Sequence, residues 1–369
     1  MEAETSDPIL VDGHEDLAYN MLTFGRDYTR PVSQTRHLEA GGPTPERNGD
    51  TLLGWPEYMQ GRVALIFATL FAAPTRRKLG DWDLLVFNDP GQAHHLYRQE
   101  LDVYHALVEE HSTKFRLVLT RRELDDHLSD WEQAGDLQPL DLPVGLVPLM
   151  ECAEGVRSRA ELADWWDWGV RLIGPAWAGT RFCGGTREPG PLTPEGFELL
   201  EGMAEHGFVL DLSHMDEAAA LQALDVYPGQ IIASHSNALA LLKGTDSNRH
   251  LTDRMLQGLL ERDGVIGVVP ANGFLRPDWI ELGGKPAVQL EHVLAQIDYI
   301  CQMAGDARHI ALGTDFDGGF GLQSVPAEID TIADLKKLVP RLKERGYSKD
   351  DIVAIFGGNW IRMLRGSLP

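Results

Sequence analysis

The feature that most constrains this chain is a series of short, nearly uninterrupted Val, Ile and Leu runs, each separated from the next by a stretch with helical patterning. The runs are Ile9–Val11, Val63–Leu70, Arg116–Thr120, Val144–Met150, Val170–Pro175, Phe208–Leu212, Gln230–Ala233, Val265–Val269 and Ile310–Gly313. A strand that is apolar at every position, rather than at every second one, is buried on both faces, as in a parallel sheet covered by helices. The intervening segments carry helix-start signals. Thr193-Pro194-Glu195 offers an N-cap followed by a first-turn proline, and Ser348-Lys-Asp-Asp351 reads as a capping box. Strand alternating with helix along the whole length specifies a parallel α/β fold. Nine runs are one more than a barrel needs, and Arg116–Thr120 is the one set aside.

Loop lengths choose among parallel α/β folds. The links from helix to strand are short, as at Glu205-His206-Gly207, Pro228-Gly229 and Arg262-Asp263-Gly264. The links from strand to helix are long: Gly25–Trp55, Gly179–Pro191, Ala271–Pro286 and Phe316–Pro326. Long loops gathered at the C-terminal ends of the strands are the pattern of a (β/α)8 TIM barrel with its site on that face. One such domain over residues 1–369 is the expectation, with Gly25–Trp55 a candidate lid.

Composition excludes several functions. A formal charge of -23 over 369 residues disfavours nucleic acid or an anionic membrane surface as partner. Three cysteines, Cys152, Cys183 and Cys301, are too few and too scattered for a disulfide framework or a thiolate zinc site. The opening Met1-Glu-Ala-Glu-Thr-Ser-Asp is no secretory signal, and no apolar run reaches the roughly 20 residues that span a bilayer. The expectation is a soluble cytoplasmic protein, with a homodimer open to it.

The chemistry lies where the apolar runs stop. Ile9–Val11 leads through Asp12-Gly13 into His14-Glu15-Asp16, Val144–Met150 ends at Glu151, and Phe208–Ser213 ends at His214. Ile231–Ser234 ends at His235, and Ile310–Thr314 ends at Asp315. His14 and Asp16 are two apart, so on an extended strand they share a face. Such a pair alone also fits a solvent-facing reading, but the same residue types ending several strands converge on one rim. Three imidazoles and two carboxylates suit zinc, and five ligands exceed one tetrahedral site with an open position. Two metals sharing Glu151 account for the number. Asp315 is placed to move a proton, the alternative being a cap on the next turn, and the capping role is the leading one for Asp317. His94, His95 and His105 read as a helix face. Trp165, Trp166 and Trp168 read as core or a subunit contact.

These segments resemble the membrane dipeptidase (renal dipeptidase) family. Val11-Asp-Gly-His14-Glu-Asp16-Leu is similar to its opening motif. Asp211-Leu-Ser-His214, Ala233-Ser-His235-Ser, Gly313-Thr-Asp315-Phe-Asp-Gly and Gly357-Gly-Asn359 follow in the family's order. The resemblance implies a binuclear zinc barrel, with His14 and Asp16 on one ion and His214 and His235 on the other. Glu151 and a hydroxide would bridge the two ions, and Asp315 would act as proton shuttle. It also aligns Arg249 with an arginine that holds the carboxylate of a dipeptide-like substrate, a role that fits the bidentate guanidinium.

Two positions depart from the animal members. Trp177 stands where they carry a histidine that helps bind the substrate carbonyl, and an indole donates one hydrogen bond without positive charge. Pro270-Ala271-Asn272 replaces a segment whose tyrosine helps hold the carboxylate. The leading expectation is therefore zinc-dependent hydrolysis of a dipeptide or dipeptide-like amide. The alternatives are N-acyl amino acid or lactone hydrolysis, or a barrel that keeps its metals without catalysis.

Overall fold

The structure is a computed structural model that describes residues 7–135 and 141–369. Eight parallel strands close into a barrel: β1 (Leu10–Glu15), β2 (Val63–Leu70), β3 (Val144–Glu151), β4 (Leu172–Gly174), β5 (Val209–Asp211), β6 (Ile231–Ala233), β7 (Val265–Val268) and β8 (Ile310–Leu312). Each pairs in parallel with its sequence neighbours, and β8 pairs with β1 through Leu312 and Asp12. Helices link the strands on the outside, so the fold is the (β/α)8 barrel that the sequence pattern specifies.

The ninth run is a strand after all, though not a barrel stave. Phe115–Leu117 pairs with the first half of β3, Phe115 opposite Val144 and Leu117 opposite Leu146. β4 then takes over beside Leu149–Glu151, while β2 runs along the other edge from Gly145 to Met150. β3 is long enough to hold two short partners on one side, a distribution that an apolar count cannot reveal.

The core has two layers. Inside the barrel, Val11, Phe67, Leu149, Leu172, Ile232 and Ala311 form one cluster of buried side chains. The helix Asn359–Ser367 closes the bottom of this cluster with Trp360, Met363 and Leu364. Trp360 Nε1 donates to the Leu312 carbonyl at 2.8 Å, and Asn359 Nδ2 donates to the carbonyls of Ala307 and Ile310. The outer layer packs strands against helices. Both expected caps are present: Thr193 accepts from Gly196 N, and Ser348 and Asp351 form a reciprocal box.

β1 contains a bulge. Asp12 faces Ile66 and Glu15 faces Ala68, so β1 carries one residue more than β2 over this stretch. Asp16 lies beyond the strand, at the N-cap position of the helix Leu17–Phe24. His14 and Asp16 converge because of a bulge followed by a helix start, not by the simple alternation that the spacing predicts.

Candidate metal and substrate site

The strand ends bring all the expected ligand residues to one place at the C-terminal mouth. Asp16 and Glu151 are 5 % exposed and His14 and His235 are fully buried, while His214 and Asp315 are 9 % exposed. The two oxygens of Glu151 face different partners. Oε2 lies 3.8 Å from His14 Nε2, which is itself 3.8 Å from Asp16 Oδ1. Oε1 lies 3.0 Å from His214 Nε2 and 3.4 Å from His235 Nε2. Donor atoms thus fall into three overlapping groups, His14–Asp16–Glu151, Glu151–His214–His235 and His14–His235–Asp315, each gathered within 4.8 Å. Asp315 stands beside both, its Oδ1 4.0 Å from His14 Nε2.

Backbone strain marks the same places. His214 and Asp315 have φ of 67° and 56°, and Cys152, directly after Glu151, has φ of 74°. Side chains other than glycine rarely enter this left-handed region, and each instance costs on the order of 1–3 kcal/mol. At Gly318 a Cβ would sit 2.0 Å from Asp315 Oδ1 and 2.9 Å from Asp16 Oδ2, so only glycine leaves room beside these carboxylates.

Two aspartates that composition and spacing do not single out hold the strand ends together. The Asp12 carboxylate accepts from Thr314 N at 2.7 Å, from the Thr314 hydroxyl and from His14 N, which ties β1 to β8. Asp211 does the same between β5 and β6, accepting from Ser213 N at 3.0 Å, Ser234 N at 2.9 Å and the Ser234 hydroxyl. Hydroxyls then orient the rings. Thr186 Oγ1 is 3.0 Å from His214 Nδ1, and Ser234 Oγ is 2.8 Å from His235 Nδ1. With Nδ1 donating to a hydroxyl, each ring presents an Nε2 lone pair to Glu151 and its surroundings, the ligand tautomer. Thr186 lies in a rim loop with no ligand-type neighbour in sequence, so only the folded geometry identifies it.

The electrostatics call for a cation. Burial, reinforced by the nearby Arg249 charge, pushes His14 down to about 3, and the same causes hold His214 well below the usual imidazole range. His235 is lowered by burial and by His14. Burial pushes Asp16 up to about 7 and lifts Glu151 and Asp315 well above the carboxylate range, with repulsion from Asp16 adding to both. Neutral imidazoles among buried carboxyls that repel one another when ionised are a donor set that a cation would stabilise. Both ring nitrogens of His14 and Asp16 Oδ1 are buried without a hydrogen-bond partner. A divalent ion with nitrogen and oxygen preference fits these donors.

A cavity of about 300 Å³ opens above this centre, bounded by Asp16, Glu151, His214 and Asp315 on its floor. Arg249 lines it and is 5 % exposed, which rules out a surface arginine. Its Nη1 donates to Ser236 Oγ at 3.0 Å and its Nη2 to the His235 carbonyl at 2.8 Å, while Nε has no partner. Trp177 also lines the cavity, its ring 6.1 Å from that of His214 and edge-on to Phe71 at 5.1 Å. Asn272 is fully buried with its amide unpartnered and is not among the lining residues. Phe274, two residues on, occupies that wall.

The segment Gly25–Trp55 is pinned. Asp317, fully buried, pairs with Arg26 Nη1 at 2.9 Å and accepts from Tyr28 Oη, Leu52 N and the Thr51 hydroxyl. The expectation that Asp317 caps the following turn is therefore corrected: its carboxylate is saturated by a segment from the other end of the chain. Asn48 of this segment reaches the cavity wall and donates to the Asp317 carbonyl at 3.0 Å. His94, as expected of a packed helix face, rests on the Gly155 carbonyl and on Trp165 and Trp168.

Fold and site together define a metallohydrolase barrel. The chain belongs to the membrane dipeptidase family (peptidase family M19), whose model matches residues 3–367. It is 26 % identical over 363 residues to the dipeptidase aclJ of Aspergillus oryzae, covering 96 % of this chain and 77 % of that protein. It is 30 % identical over 286 residues to a Klebsiella pneumoniae protein from the pqqA 5′ region, covering 75 % of this chain and 97 % of that one. Among solved structures, a Rhodobacter sphaeroides metallopeptidase bound to a phosphinate mimic of L-Ala-D-Ala superposes with a TM-score of 0.76 at 23 % identity. That match covers 98 % of this chain and all of the other. The dipeptidase AC, another metallopeptidase, gives 0.77 at 24 %, covering 98 % and 99 %. No described helix is long and apolar enough to cross a membrane.

Proposed function

We propose that this chain hydrolyses the amide bond of dipeptides with two zinc ions held by His14, Asp16, Glu151, His214 and His235. The observation that carries the reading is the division of donors about Glu151, one oxygen toward His14 and the other toward His214 and His235. When bound, such a pair supplies an ionised water at neutral pH and polarises the scissile carbonyl.

The chain's own residues supply the rest. Asp315 stands at the cavity floor with no side-chain hydrogen bond among the described residues, free to take a proton and release it to the leaving amine. Arg249, fixed through Ser236 and the His235 carbonyl, offers its remaining edge to the substrate carboxylate. Trp177 and Phe71 make an apolar wall that narrows access of water. That wall contributes no charge to the carbonyl, so N-acyl amino acids are the natural comparison substrates.

Metal analysis of the purified protein, together with kinetics on dipeptides and N-acyl amino acids, tests this. Two zinc ions per chain with dipeptide turnover is the expected result. Preferred cleavage of N-acyl amino acids would replace the substrate class. Two metals with no hydrolysis of either would leave a metal-retaining barrel without catalysis.

A further inference from the structure

Three arginines line the cavity, and two of them are engaged. Arg249 holds Ser236 and the His235 carbonyl, and Arg77 Nε donates to Glu188 at 2.8 Å. Arg187 is exposed, and among the described residues its guanidinium has neither a carboxylate nor a hydrogen-bond partner. On a chain with a net charge of -23, an unpaired cation facing a substrate cavity is an exception.

Its backbone is held in place with some effort. Arg187 is at the tip of a hairpin whose strands are Cys183–Gly185 and Glu188–Leu192, and its φ is 64°. Tips of this kind favour glycine, asparagine or aspartate, so arginine is no turn-former's choice here. Asn248 fixes the tip: Arg187 N donates to its Oδ1 at 2.9 Å, and its Nδ2 donates to the Gly185 carbonyl and to Asp216. Asn248 directly precedes Arg249. The free cation is therefore anchored to the loop that carries the proposed carboxylate anchor, while its neighbour Thr186 reaches His214.

We propose that Arg187 is a specificity-determining residue that receives a second carboxylate, the acidic side chain of the substrate's C-terminal residue. This rests on the dipeptidase reading, in which Arg249 binds the α-carboxylate of that residue. Dipeptides ending in aspartate or glutamate are then the preferred class, because guanidinium pairs with carboxylate in a fork that a neutral amide cannot match.

Matched pairs isolate the charge: Ala-Glu against Ala-Gln and Ala-Asp against Ala-Asn, with L and D forms at the second position. The wild-type protein is expected to show a kcat/KM ratio of tenfold or more in favour of the acid. Arg187→Asn, which tolerates a left-handed backbone, is expected to bring the ratio close to one, and Arg187→Lys to retain most of it. Glutamate is expected to inhibit as product more strongly than glutamine in the wild type and not in the Asn variant. Equal turnover of acid and amide by the wild type overturns the assignment while leaving the dipeptidase reading intact. An Asn variant that loses both substrates in equal proportion also overturns it, since that is the mark of a structural tip. If no dipeptide is cleaved, the dipeptidase reading falls and this assignment falls with it.

Discussion

Asp315 and Asp317 leave the same strand end two residues apart, both buried and both with left-handed backbones, φ 56° and 63°. Around Asp317 the carboxylate is met by Arg26, Tyr28, Thr51 and Leu52, all from the segment that follows β1. Around Asp315 there is no side-chain hydrogen bond among the described residues, and two imidazoles, His14 and His235, stand close by. A buried carboxylate with its donors supplied is part of the scaffold. One left without protein donors, at a cavity floor beside buried unpaired polar atoms, is open to a water, a substrate or a metal. The difference separates structure from function within three residues.

The comparison can be broken most directly at Asp315. Asp315→Asn is expected to lower kcat on a good dipeptide by about 10³-fold, roughly 4 kcal/mol of barrier, with unchanged or slightly raised thermal stability. Retained activity in steady-state assays would remove Asp315 from proton transfer. Asp317→Ala should do the reverse. It takes one of two carboxylates from Arg26, which keeps Glu39, and leaves Tyr28 Oη, the Thr51 hydroxyl and Leu52 N without their acceptor, so a loss of about 3 kcal/mol in urea unfolding is expected, while metal binding persists. Stability unchanged by this variant would mean that the pinned segment is held elsewhere.

Removing the metals sharpens the contrast through pH. Asp16 is pushed up to about 7, and Glu151 and Asp315 also shift upward. In the chelated protein these groups stay protonated in the fold after they ionise in the unfolded chain. Their burial thus costs little at or below pH 4 and progressively more as pH rises toward 7. A bound cation would let them ionise in place. The Tm gap between zinc-loaded and chelated protein should therefore widen from pH 5 to pH 7.5, and metal at a hundredfold excess over Kd would add about 2.7 kcal/mol. A gap independent of pH would show that these carboxylates do not face the metal. The smallest effect is expected at Thr186→Val, which removes the partner of His214 Nδ1. Zinc affinity should fall about tenfold in a competition assay with the fold intact. No change would mean that Trp177 and the backbone suffice to orient the ring.

What could be read from the sequence follows the range of the interactions. The barrel is legible because burial on both faces forces continuous apolar runs. The candidate site residues are legible because histidines and acids recur where separate apolar runs stop. The bulge in β1 is hidden, since an extra residue leaves no compositional trace. Asp12 and Asp211 look like ordinary strand-end residues until Thr314 and Ser234 arrive from elsewhere in the chain. Asp317 reads as a turn cap because its true partners, Arg26 to Leu52, are remote in sequence. Counting staves sets aside the run Arg116–Thr120, and the strand Phe115–Leu117 forms there because β3 is long enough to hold a second partner.

The closure of β1 on β8 has a consequence in time. Asp12 and Thr314 are 302 residues apart, and their bond sets His14 beside Asp315. During synthesis at roughly 5–20 residues per second, His14 waits tens of seconds for Asp315. A nascent chain stopped before β8 would display histidines and carboxylates with no enclosure to select among ions. If the proposed ions bind here, the barrel beneath them closes only when β8 pairs with β1.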